Sequence, residues 1–199
     1  MRIAIYGTLA VLVTLLLLDT NIGKPAASHK RALIDNAIAR LDHSGLSEDA
    51  RLRKLIAATN GFRESRVYGF LVNFSSSRDM DFSYYAFTPV FSQSKVFIGS
   101  SFWDTGNIGR SSVLVHEFAH IRRHKRLFLG GVFRGDDEAE AYERQYLTYR
   151  DVGLSPEGSD GTVYWDMMIG VQTYLLPRKP AYAKRKDIQQ AIRILKEAD

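Results

Sequence analysis

The run Val113-Leu114-Val115-His116-Glu117-Phe118-Ala119-His120-Ile121 constrains this chain more than any other stretch. Its apolar side chains surround a helix on nearly every side, so the helix has to be buried. Burial then isolates His116, Glu117 and His120, because ionisable groups in an apolar interior are costly without partners or a metal. Helix positions four apart lie one turn apart on the same face, so both imidazoles can reach one ion. Glu117 is rotated about 100° from His116 at 3.6 residues per turn. That rotation directs its carboxylate to a water on the ion rather than to the ion itself. Ser111, Ser112 or Asn107 offers an N-cap. The run Arg122-Arg123-His124-Lys125-Arg126 puts cations at the C-terminal end, where the helix dipole favours them, and Gly130-Gly131 ends the element. His124 lies within the basic run and reads as part of a solvated helix end.

The pattern His116-Glu117-x-x-His120 resembles the active-site helix of the zincin metallopeptidases. The resemblance implies a Zn2+ ion on His116 and His120, with Glu117 as general base toward a bound water whose pKa falls to about 7. A site of this kind needs a third protein ligand and an open position for water. Downstream lies Gly135-Asp136-Asp137-Glu138-Ala139-Glu140-Ala141-Tyr142, where Asp136 or Asp137 can cap a second helix. Glu138, Tyr142, Tyr146 and Tyr149 share one aromatic, inward face of that helix. Glu140 falls with Glu143, Arg144 and Leu147 on a more solvated face. Phase therefore selects Glu138 as the third ligand over Glu140. The segment Glu138-x-Glu140-Ala141-Tyr142 also resembles the third-ligand helix of gluzincins, E-x-E-A-D, whose first Glu binds zinc. Tyr142 stands here in place of the Asp. The aspzincin arrangement is a rival, because Gly135-Asp136-Asp137 places an acid after a glycine, although its G-T-x-D order is absent.

The remaining pattern reads as an α+β, zincin-like fold. A small, twisted, mainly antiparallel sheet precedes the active-site helix, and further helices follow it. Apolar residues recur at helical spacing from His29 to Leu41, and a second helix follows Ser47 as far as Ala58. Residues 67–74, 82–87 and 95–98 are β-prone. Tyr84 to Val90 suits an edge strand, because Pro89 tolerates that place, and such an edge can bind substrate backbone by strand addition. The loop from Val152 to Gly161 can cover a cleft, a helix runs from Tyr164 to Leu176, and an amphipathic helix spans Asp187 to Lys196. Tyr142, Tyr146, Tyr164 and His124 all remain open as donors to a developing oxyanion.

The apolar run Ile3 to Leu18 carries no charge and reads as a signal peptide or a membrane anchor. This divides the chain into a leader at 1–28 and a metallopeptidase domain at 29–199, exported or membrane-anchored with its catalytic part outside the cytoplasmic membrane. The absence of cysteine excludes disulfides, thiolate metal sites and cysteine nucleophiles. A net charge of +5 is spread along the chain without a nucleic-acid motif, so no nucleic-acid partner is expected. The expected partners are a peptide or protein substrate and, through an uncleaved leader, the membrane. The sequence carries no signal for an oligomeric state. Other readings are a zinc amidase or toxin-like effector, and a membrane-tethered interaction module without turnover.

Overall fold

The apolar run around the two histidines folds as the buried helix its composition requires. In the computed structural model, residues 24–25, 28–42, 62–64, 85–88, 96–127 and 136–198 are described. They form β1 (Lys24–Pro25), α1 (Ser28–Asp42), β2 (Phe62–Glu64), β3 (Ala86–Phe87), β4 (Val96–Ile98), α2 (Ser100–Asp104), α3 (Asn107–Leu127), α4 (Asp136–Val152), α5 (Gly161–Gly170) and α6 (Lys186–Ala198). A π-helical turn, Val171–Leu175, continues α5, and a 3-10 turn, Pro180–Lys184, precedes α6. The leader at 3–18, the helix expected after Ser47, the β-prone run 67–74 and Gly130-Gly131 lie outside the described residues. None of the described helices is long and apolar enough to cross a membrane.

The expected α+β, zincin-like architecture is overturned. Helices account for 77% of the described residues. The strands are two or three residues long, and their order is β1-β2-β4-β3. The central pair, β2 and β4, is parallel, with Phe62 opposite Val96, while β1 and β3 add short antiparallel rungs on either side. This is a small mixed patch, not a mainly antiparallel layer. The reason lies in what covers α3. It packs most extensively on α4 and then on α1, with α5 also touching it. Val113, Leu114, Val115, Phe118 and Ile121 are thus buried largely by helices. Short aromatic and β-branched runs favour strands only as far as their surroundings offer a pleated surface.

Helix α1 follows its periodicity, burying Ile34, Ala37, Ile38 and Leu41 on one face. The start of α3 differs from the caps expected at Ser111, Ser112 or Asn107. The helix begins at Asn107, because Asp160 reaches across and accepts the Gly106 N–H at 2.7 Å. This satisfies one orphan donor and sets a carboxylate at the positive end of the helix dipole. A Cβ at Gly106 or Gly109 would lie 2.7 Å from an Asp160 oxygen, so only glycine admits this contact. Ser111 is then interior, sharing its hydroxyl between the carbonyls of Asn107 at 2.7 Å and Ala37 at 2.8 Å. The second bond ties α3 to α1.

Asp187, in the first turn of α6, fastens the C-terminal half of α4. It accepts the Tyr146 hydroxyl at 2.9 Å, the Tyr149 hydroxyl at 2.9 Å and the Arg150 guanidinium at 3.2 Å. Partial burial raises its carboxyl pKa, but the hydroxyls of Tyr146 and Tyr149 and the Arg185 charge outweigh this and hold it below the usual value. A depressed folded pKa gives stability that is full above the unfolded value of about 3.9 and lost as pH falls through the folded one. Asp187→Asn should cost about 1–2 kcal/mol at pH 7. Denaturant titrations of the two proteins should converge as pH is lowered below 4, about the unfolded carboxyl value.

Candidate metal centre

The spacing of His116 and His120 puts their rings side by side on α3, with centroids 4.8 Å apart. Their Nε2 atoms face each other at 3.1 Å. Glu138, in the first turn of α4, brings Oε2 to 3.4 Å from His116 Nε2 and Oε1 to 3.4 Å from His120 Nε2. One donor atom from each of the three residues lies within 4.8 Å of the others. Two nitrogens and a carboxylate therefore converge on one point. Ligands about 2.05 Å from a tetrahedral zinc stand about 3.3 Å apart, so the separations of 3.1 and 3.4 Å fit. The donor set, two imidazoles and one carboxylate, is also one that zinc takes in catalytic sites.

The electrostatics favour a positive charge there. Burial by itself lowers the His120 pKa, but the bond to Asp137 and the charges of Glu117, Glu138 and Asp137 outweigh it and push it up to about 9. Burial raises Glu138, and the His116 bond and the charges of His120 and His116 pull it below the usual carboxyl value.

Each imidazole is oriented differently. His120 Nδ1 lies 3.2 Å from Asp137 Oδ2, an ion-pair and hydrogen-bond contact that leaves Nε2 to face the convergence point. Asp137, weighed from sequence as a rival ligand, thus orients a histidine. His116 Nδ1 is buried and has no hydrogen-bond partner among the described residues. Packing holds that ring instead, with Tyr142 edge-on at 4.5 Å. Tyr142 in turn stacks on Tyr174 of the π-helical turn, at 5.6 Å and 1°. Gly170 makes room for this, since a Cβ there would stand 2.0 Å from the Tyr142 ring. π-Helical turns inside helices are often found at functional sites. Glu140 is not in the cluster, and the side chains of Asp136 and His124 lie outside the described residues.

Glu117 is 4% exposed. Its Oε2 accepts the Thr88 hydroxyl at 2.6 Å. It lines a pocket of about 120 Å³ together with His116, Tyr142, Gln145, Tyr85 and Asp166. Sequence reasoning did not single out Thr88, Gln145, Tyr85, Asp166 or Gly170. Helical phase alone would have found Gln145, which stands seven residues after Glu138 on α4. The others come from separate segments and carry no local signal.

Removing an orienting partner typically lowers metal affinity about 10–100-fold. Asp137→Asn should show this in a zinc competition titration against a chromophoric chelator. Gly170→Ala, which would ordinarily favour a helix, should also weaken zinc binding by displacing Tyr142 from His116. In comparisons with known proteins, no family model, no curated protein and no solved structure matches this chain.

Proposed function

We propose that the chain is a zinc-dependent hydrolase of peptide bonds, with His116, His120 and Glu138 as metal ligands and Glu117 as general base. The observation that carries the reading is the convergence of three donor atoms, with one of the three residues, His116, lining a pocket together with the buried Glu117. Zinc held there would lower the pKa of a water toward about 7 and polarise a carbonyl.

The chain's own groups supply the remainder. Thr88 holds one oxygen of Glu117, leaving the other to accept a proton from the attacking water and later to return it to the leaving amine. Of the tyrosines open as oxyanion donors, Tyr142 lines the pocket. Burial and the Glu138 charge raise its pKa, so it stays protonated as a donor. Tyr146 is engaged by Asp187, and Tyr164 is packed against Tyr149 and Trp165. A peptide is favoured as substrate by β3. It stands at the end of the strand order, with no second neighbour among the described strands, and its Ala86 lines the pocket. An extended backbone can add there as a further strand. The apolar run at residues 3–18 extends the reading to an exported or membrane-anchored enzyme.

Glu117→Gln should retain zinc and lose about 10²–10⁴-fold in kcat on a mixed peptide library, the usual share of a general base. Unchanged turnover would overturn the assignment. Glu138→Ala should weaken zinc binding far more than Glu140→Ala, as metal content after dialysis will report.

A further inference from the structure

The wall of the pocket away from the metal ligands carries a second carboxylate. Asp166 of α5 lines the pocket and stays exposed to solvent. Tyr85, from the segment before β3, donates its hydroxyl to it. Burial raises the Asp166 pKa and the Tyr85 bond opposes that rise. No described lysine or arginine forms an ion pair with it. Among the described residues, no lysine or arginine lines the pocket. The acidic side chains on its described wall are Glu117 and Asp166. Val113, Val163 and Met167 add an apolar surface suited to a methylene stem. The described wall is therefore acidic, in a molecule of net charge +5.

We infer that Asp166, held in place by Tyr85, is a specificity group that accepts a cationic nitrogen of the substrate. The pocket therefore takes peptides presenting an ammonium group close to the scissile bond. A cation meets an anionic acceptor there, and a charge-assisted hydrogen bond is stronger than a neutral one. A neutral or acidic side chain would leave Asp166 without a partner or set it against a like charge. The ammonium can come from a basic side chain or from a free α-amine. This inference rests on the metal site proposed above.

The test uses the zinc-loaded full chain and three hydroxamates that anchor on the metal, with calorimetry as the readout. N-acetyl-lysine hydroxamate carries the charge on its side chain, norleucine hydroxamate on its α-amine, and N-acetyl-norleucine hydroxamate nowhere. At least one charged probe should bind about tenfold or more tightly than the neutral one. The tighter of the two identifies the source of the ammonium. Asp166→Asn should remove the difference between the charged and neutral probes, and Asp166→Glu should restore it. Equal binding of all three probes to the native protein would overturn the inference while leaving the metal site standing. Binding of none of them would overturn both.

Discussion

The contact between α3 and α4 is the constraint on which the remainder depends, because the proposed metal ligands are divided between the two helices. Gln145 donates to the Ser112 hydroxyl at 3.0 Å, a buried bond that fixes how far α4 can slide. Tyr142 packs against His116 on the same side. A slide of one residue along α4 would turn Glu138 about 100° away from the imidazoles. The Gln145–Ser112 bond would then leave both groups buried without partners, a penalty of about 1–3 kcal/mol.

That contact is held from outside as well. Asp187 gathers Tyr146 and Tyr149, while Glu143 accepts the Tyr182 hydroxyl at 2.7 Å and pairs with Lys179. Helix α4 is thus fastened to the C-terminal segment as well as to α3. At the other end of the site, Asp160 caps α3 from the turn before α5, so α3 and α5, two of the three helices that wall the pocket, are tied at their starts. Polar bonds between distant segments fix the angle of packing that apolar burial leaves free.

Helical phase made part of this legible. The unbroken apolar surface of 113–121 demanded burial, and the spacing of Glu138, Tyr142, Tyr146 and Tyr149 set an inward face on α4. Both signals are local, lying within one element. The parallel pairing of β2 with β4 joins residues 62–63 to 96–97, and no local pattern reports such a register. Thr88 meets Glu117 across a separation of 29 residues. Asp166 meets Tyr85 across a still longer one. Gly170 lies within the helix expected from Tyr164 to Leu176. Its purpose follows only from the Tyr142 ring that occupies the space of its missing side chain.

Fold and chemistry share one electrostatic problem. An all-round apolar helix cannot turn Glu117 and His120 to water, and both are almost fully buried. Thr88 and Asp137 meet part of their need for partners. The convergence of His116, His120 and Glu138 remains, and lone pairs from three groups at such short separations repel unless something positive lies between them. A proton on His120 answers that demand in part, and its raised pKa expresses the same field. A divalent cation would answer it more fully, because it could engage all three donors at once. Proton and metal would then compete for one place, and occupancy by metal would stabilise the folded chain in proportion to its binding free energy. The burial that makes α3 the centre of the fold is thereby also what gives its histidines a reason to bind an ion.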